Sequence, residues 1–293
     1  MAVLIDGKKI SQEIKDELKA KVAELKNAGK KVPGLVTILV GDNPASQSYI
    51  NSKEKGCIEL GMLSKVERLD ASIEEKELLD LVNKYNNDDN YHGILVQLPL
   101  PKHISEDKVI QAISPQKDVD GFHPISVGNL MIGTDTFYPC TPYGIVEMLK
   151  RYKIDTSGKH VVVVGRSNIV GKPVANMLLQ KKEGANAIVT VCHSAAKDLS
   201  QFTKTADILI AAIGRAFFIK ADMVKDGAVV IDVGINRVED ATKKKGYRVV
   251  GDVDFEEVEK KASYITPVPG GVGLMTIAML LLNTLHAYQK IEK

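Results

Sequence analysis

The sequence predicts an α/β protein of two domains, each built on a largely parallel sheet. Three observations carry this. Short apolar runs alternate with helix-period segments from end to end, the pattern of strands joined by crossover helices. The chain has 293 residues, more than one hydrophobic core commonly supports. The strand–helix alternation also restarts at His160, after a polar stretch around residue 150.

In the first half, the spacing predicts a helix over Ser11–Ala28, a strand over Gly34–Val40, a helix from about Ala45 to Leu60 and a strand over Lys65–Leu69. Ser72, with Glu75 three residues on, reads as a capping box that starts the next helix. A strand over Gly93–Gln97 ends at Leu98-Pro-Leu-Pro101. A short helix over Ser105–Ile113 leads to Lys117-Asp-Val-Asp-Gly-Phe-His123, and Pro142 opens a helix to about Arg151.

The second half predicts strands over His160–Val164, Ala187–Cys192, Asp207–Ala211 and Ala228–Asp232, with another around Arg248–Val250. A hairpin-like excursion over Val238–Val250 holds Lys243-Lys-Lys245, read as a solvated turn. Thr266-Pro-Val-Pro-Gly-Gly-Val-Gly273 breaks the pattern before a last helix over residues 274–290. The expected domains are 1–150 and 151–273, with that last helix packing back on the first domain.

Val161 to Val164 read as a buried parallel strand, Gly165 ends it, Gly171 follows six residues on, and Pro173 opens a helix. A glycine-bounded turn into a helix N-terminus offers free N–H groups and a positive dipole end to a phosphate. The loop is a degenerate G-x-G-x-x-G, with Ser167 at the middle glycine. An acidic residue at the end of the second strand would favour NAD, but here that strand ends Val191-Cys-His-Ser194, with no carboxylate before Asp198. A carboxylate there would repel a 2′-phosphate, so its absence, together with Arg166, Ser167 and Ser194, favours NADP in a Rossmann-type domain. Gly234-Ile235-Asn236, at another strand end, is expected to line the same crevice.

Composition narrows the class. Hydrophobic residues make up 44% and charged residues 26%, with 39 basic and 37 acidic residues and a net charge of +2. With no basic tail and few aromatics, nucleic acid is not an expected partner. Cys57, Cys140 and Cys192 fit no metal spacing and read as reduced thiols of a cytoplasmic protein; no metal site is expected. The apolar run from Leu274 is interrupted by Thr276, Asn283, Thr284 and His286, and so reads as a core helix rather than a membrane span.

Tyr49 and Lys53 lie four residues apart on one predicted helix face, where packing and a solvated lysine are the ordinary readings. Gln97 ends an otherwise apolar strand. Asp118 and Asp120 flank Val119 in a turn that ends at Gly121, where capping is the ordinary role.

As a set, Tyr49-x-x-x-Lys53, Val96-Gln-Leu-Pro-Leu-Pro101, Lys117-Asp-Val-Asp-Gly-Phe122, Pro139-Cys-Thr-Pro142, Gly165-Arg-Ser-Asn-Ile-Val-Gly-Lys-Pro173 and Thr266-Pro-Val-Pro-Gly-Gly-Val-Gly-x-Met-Thr276 resemble the bifunctional methylenetetrahydrofolate dehydrogenase/methenyltetrahydrofolate cyclohydrolase family. The matches run in order over nearly the whole chain. The resemblance implies an N-terminal α/β catalytic domain, a C-terminal Rossmann-type NADP-binding domain and a cleft between them. It implies oxidation of 5,10-methylenetetrahydrofolate with NADP, then hydrolysis to 10-formyltetrahydrofolate.

By the same resemblance, Lys53 is the general acid/base, Gln97 its partner, Asp120 the anchor of the pterin and Tyr49 a stacking surface. Pro269, Gly270, Gly271 and Val272 wall the folate, while Gly165, Arg166, Ser167, Ser194 and Ile235 meet the cofactor. A small-molecule folate and a second copy of the chain, as homodimer, are the expected partners; no membrane is expected. Two other readings compete: a shikimate-dehydrogenase-like NADP enzyme, and a nucleotide-sensing module without turnover. The Gln97 and Asp120 segments speak against the first, and an intact Lys53, Gln97 and Asp120 set against the second.

Overall fold

In chain order the strands and helices are β1 (Val3–Leu4), α1 (Gly7–Asn27), β2 (Gly34–Val40), α2 (Pro44–Leu60), β3 (Leu63–Leu69), α3 (Glu75–Asn86), β4 (Gly93–Val96), α4 (Glu106–Ala112), α5 (Pro124–Ile132), α6 (Cys140–Arg151), β5 (His160–Val164), α7 (Gly171–Leu179), β6 (Ile188–Cys192), α8 (Ser200–Thr203), β7 (Ile208–Ala211), β8 (Val229–Asp232), β9 (Asn236–Glu239), β10 (Tyr247–Val250), α9 (Phe255–Val258), β11 (Tyr264–Ile265) and α10 (Val272–Ile291). The computed structural model describes residues 1–243 and 246–293. The solvated-turn reading of the lysine run falls on Lys244 and Lys245 and lies outside the described residues.

The chain forms two compact units, one of Met1–Ser11 with Thr141–Thr276 and one of Gln12–Cys140 with Ile277–Lys293. Where the sequence reading drew boundaries near 150 and 273, the chain crosses between units three times, after Ser11, Cys140 and Thr276.

The 12–140 unit is built on a parallel three-stranded sheet in the order β3-β2-β4. All seven residues of β2 are buried, as a central parallel strand requires, and edge strand β3 alternates between exposed and half-buried residues. Val36, Ile38 and Val40 of β2 pack with Leu78, Val82 and Tyr85 of α3 and Val109 of α4. Each such side chain, fully buried, contributes about 1.5–3 kcal/mol. The strand-end segments carrying Gln97 and Asp118 are tied to this sheet: Gln97 N–H donates to Ile38 O at 2.8 Å, and Ile94 N–H to Lys117 O at 2.9 Å.

The other unit holds a six-stranded parallel sheet in the order β1-β11-β8-β7-β5-β6. Strand order reverses between β5 and β7. In an open α/β sheet that reversal places the ligand crevice at the carboxyl ends of those two strands. β9 and β10 pair antiparallel as a separate ribbon, matching the expected hairpin.

Several local expectations are corrected. Helix α1 begins at Gly7, not Ser11, because Asp6 Oδ1 accepts the Lys9 N–H at 3.0 Å and acts as the cap. Ser72 does not cap α3: its N–H and hydroxyl both donate to Asp70 Oδ1, and Glu74 with Glu77 forms the box instead. Helix α6 starts at Cys140, two residues before Pro142, and α7 starts at Gly171 with Pro173 in its first turn. Helix α5 and the two-residue strands β1 and β11 carry no period long enough to read. Helix α10 is long and apolar enough to cross a membrane by composition, and most of it is buried within the structure.

Candidate active site

Lys53 sits on the core-facing stripe of α2. Ile50, Cys57 and Leu60 occupy the same helical spacing and are buried, and Lys53 itself is only 7% exposed. A lysine on an apolar stripe needs a polar partner for its ammonium. That partner is Gln97, whose Oε1 accepts from Lys53 Nζ at 2.9 Å. Gln97 Nε2 donates to Leu98 O at 2.8 Å, which fixes the amide oxygen toward the lysine. Tyr49, one turn earlier, is 45% exposed, so an aromatic face is open beside the buried amine's stripe.

Asp120 is held in the same unit by its neighbours. Burial pushes its carboxyl above the usual range, while the Lys53 charge and the Cys140 thiol act in the opposite sense. The Cys140 thiol lies 3.8 Å from Asp120 Oδ1 and donates to Val119 O at 3.7 Å. Asp118, two residues earlier, is buried and accepts the His123 N–H at 2.9 Å and the Phe122 N–H at 3.2 Å. Burial raises its carboxyl to about 6, against these hydrogen bonds.

Asn283 of α10 completes the frame. Its buried Nδ2 donates to Val119 O at 2.7 Å and to Tyr138 O at 2.9 Å. One amide thus ties the turn bearing Asp120 to the segment entering α6. The sequence carried a signal for this residue, a polar break in an apolar helix, but no signal for its target.

In the 141–276 unit, the loop after β5 fits a dinucleotide. Gly165 has φ +138, and a Cβ there would stand 2.2 Å from Ala212 O at the end of β7; one on Gly171 would stand 2.1 Å from Gly165 O. Only glycine permits this approach of strand end, loop and helix start. Ser167 Oγ accepts the Val170 and Gly171 N–H groups at 3.1 and 3.3 Å, capping α7 and leaving its hydroxyl proton to donate. Arg166, Ser167 and Asn168 are exposed on the loop, and Ser194 is exposed in the turn after β6. Ile235, after β8, is 57% exposed. These groups offer amides, hydroxyls and one guanidinium to phosphates, as NADP requires.

Of the loop between β11 and α10, Pro269 is exposed and Gly270 partly so, whereas Gly271 and Val272 are buried. Gly271 O presses on Gly7, where a Cβ would come within 2.2 Å, so this glycine shapes the loop from behind. The pairs Lys53–Gln97 and Asp118–Asp120 thus lie in one unit, and Gly165–Ser167, Ser194, Ile235 and Pro269–Val272 in the other.

Two carboxylates absent from the sequence reading sit at the strand ends of the 141–276 unit. Asp232 accepts N–H groups from Gly234, Asp252 and Val253, each at 2.9 Å. Burial raises its carboxyl to about 6 against those bonds. Asp252 is fully buried and is likewise bonded on both oxygens.

Comparison with known proteins assigns the two parts of the chain to the two domains of one family. Residues 5–120 match the catalytic domain of tetrahydrofolate dehydrogenase/cyclohydrolase, and residues 139–292 match its NAD(P)-binding domain. The chain is 60% identical over 289 residues to the bifunctional protein FolD of Chloroherpeton thalassium, covering 98% of each. It is 60% identical over 292 residues to that of Pelodictyon phaeoclathratiforme, covering 99% of each. Among solved structures, the bifunctional methylenetetrahydrofolate dehydrogenase/cyclohydrolase of Campylobacter jejuni superposes with a TM-score of 0.93 at 54% identity, covering 99% of both chains. The Trypanosoma brucei enzyme, solved with NADP cofactor and inhibitor, superposes with a TM-score of 0.93 at 39% identity, over 99% of this chain and 98% of that one. A shikimate dehydrogenase from Aquifex aeolicus reaches 0.51 at 13% identity over 88% of this chain and 91% of that one, a likeness of fold alone.

Proposed function

The chain belongs to the tetrahydrofolate dehydrogenase/cyclohydrolase family, and from that premise we propose how its residues divide the two reactions. The protein oxidises 5,10-methylenetetrahydrofolate to the 5,10-methenyl cation with NADP and hydrolyses that cation to 10-formyltetrahydrofolate. NADP, when bound, supplies the two-electron acceptor for the methylene carbon.

The 12–140 unit holds the folate and carries the general base; the 141–276 unit holds the cofactor. Asp120 accepts N–H bonds from the amino-pyrimidine edge of the pterin, since a carboxylate can take two at once. Tyr49 stacks on the ring system. Pro269, Gly270, Gly271 and Val272 shape the loop that meets the folate. Arg166 and Ser194 meet the 2′-phosphate together with the Ser167 hydroxyl, while the Gly165 turn and Ile235 meet the rest of the dinucleotide.

The Lys53 Nζ–Gln97 Oε1 hydrogen bond of 2.9 Å carries the reading of the second step. Oxidation leaves a cationic carbon, and water attack needs a base. Gln97 holds Nζ through an uncharged oxygen, so this hydrogen bond itself adds no ion pair at the amine. The neutral amine then takes a proton from the attacking water and returns it as the ring opens. Asp120 lies close enough to Lys53 for their charges to interact, so the pterin anchor and the base belong to one cluster.

The test is the absorbance of methenyltetrahydrofolate formed from methylenetetrahydrofolate. It should rise only with a nicotinamide cofactor present, far faster with NADP than NAD, and then decay as hydrolysis follows. No methenyl formation with NADP would sink the reading. As part of the same proposal the partner is a second copy of the chain: β6 is an edge strand with Ile188 63% and Val191 41% exposed. Light scattering on the purified protein checks it, and a monomeric mass would contradict it. The three buried, unpaired thiols support the cytoplasm as its place.

A further inference from the structure

Asp252 has no part in the folate chemistry described above, yet it is one of the most heavily bonded side chains in the molecule. It is 0% exposed. Its Oδ2 accepts the N–H groups of Ile213 and Gly214 at 2.8 and 2.9 Å, and its Oδ1 accepts the Arg215 N–H at 2.9 Å. Oδ1 also accepts from Asn236 Nδ2 at 2.9 Å. Three successive backbone amides thus converge on one carboxylate, an anion nest filled by the protein itself.

The segments it joins are the strand ends of the parallel sheet. Ile213–Arg215 follow β7, whose end touches the Gly165 turn through Ala212. Asn236 follows the Gly234–Ile235 turn after β8. Gly234 is pinned from the same side: a Cβ there would stand 2.3 Å from Asp252 Oδ1. The backbone of Asp252 is fixed in turn, because its own N–H donates to Asp232 Oδ1. Asp252 therefore ties the loop after β7 to the turn after β8, on the side of the sheet where the order reverses and a dinucleotide binds.

We propose that Asp252 is a positioning residue for the cofactor: by filling the nest of residues 213–215 and holding Asn236, it sets the two strand-end loops at the spacing that the nicotinamide dinucleotide requires. The proposal rests on the reading that these strand ends hold NADP. An amide in its place has one acceptor oxygen and two donors, so Asp252→Asn keeps the shape, loses about half the bonds and points N–H against N–H. The loops then lose their fixed spacing while the buried strands stay paired.

The experiment measures the KM for NADP in the dehydrogenase reaction and, separately, hydrolysis of methenyltetrahydrofolate without NADP, in wild type, Asp252→Asn, Asn236→Ala and Arg166→Ala. For Asp252→Asn the NADP KM should rise by about tenfold or more, the effect of one charge-assisted hydrogen bond. The KM for folate and the cyclohydrolase turnover should stay within about twofold of wild type. Asn236→Ala removes a single side-chain bond to Oδ1, so it keeps the proposal testable if Asp252→Asn does not fold. Its NADP KM should rise by a few-fold, with cyclohydrolase again held. An unchanged NADP KM in folded Asp252→Asn, or in folded Asn236→Ala if the first variant does not fold, overturns the proposal. So does an equal loss of both activities, which is the mark of a purely structural role. Arg166→Ala separates the two claims: an NADP KM insensitive to Arg166 tells against the cofactor reading, whatever Asp252 does.

Discussion

Lys53 faces an amide where a carboxylate would make an ion pair, and the proposed hydrolytic chemistry depends on that difference. Gln97→Glu would pair Lys53 with an anion in place of a neutral oxygen. The expected outcome is a cyclohydrolase rate at neutral pH lower by about 100-fold, the scale of general base catalysis, with an unchanged Kd for NADP. An unchanged rate would contradict the role of Gln97. Arg166→Ala should raise the KM for NADP by about 10- to 100-fold and that for NAD far less, because only NADP carries the 2′-phosphate. Equal effects on both, read by parallel titrations, would remove Arg166 from that phosphate. Lys53, Gln97 and Asp120 stood out in the sequence only as parts of family-like segments; read alone, each had an ordinary packing or capping role, and their proposed roles rest on those segments. Asp252 did not stand out: its partners lie 16 to 39 residues away and meet it only once the sheet has formed.

Helix α10 shows what a single element can hide. Its apolar period marks it as a core helix, yet Asn283 on that helix bonds two carbonyls at 2.7 and 2.9 Å in the frame of Asp120. Asn283→Leu removes that donor from the buried Val119 oxygen and the part-buried Tyr138 oxygen, at a cost of about 1–3 kcal/mol in all. The expected outcome is a lower Tm with a raised KM for folate and an unchanged KM for NADP. A folate KM that does not move would make Asn283 a core residue only. The long parallel strands β2 and β5 matched their expected bounds because a buried strand is a continuous apolar run. β1 and β11, at two residues each, have no such run and exist through pairing with each other and with β8. The start of α3 was misread because Asp70 competes for the same serine hydroxyl that would have capped it.

At the scale of the molecule, the chain's last residues are held in the 12–140 unit by a buried histidine. His92 Nδ1 accepts the Gly34 N–H at 3.0 Å, and Nε2 lies 3.4 Å from Glu292, which also pairs with Lys31 at 2.9 Å. Burial lowers the His92 pKa below 6.5, with Glu292 acting in the opposite sense. The folded state therefore binds fewer protons here than the unfolded chain. The His92 contribution is complete above pH 6.5 and is lost as the pH falls through its lowered value. Asp118 and Asp232, raised to about 6 from 3.8, oppose this between those pH values, so a comparison within one background is needed. Between pH 7.5 and 5.5 the Tm of wild type should fall more than that of His92→Gln; parallel curves would contradict the assignment.

The proposed assignment of the hydrolytic base to Lys53 meets its most direct test in Lys53→Met. With methenyltetrahydrofolate as substrate, the decay of its absorbance should vanish, while the dissociation constant for NADP remains at the wild-type value. Hydrolysis at the wild-type rate by that variant would contradict the account.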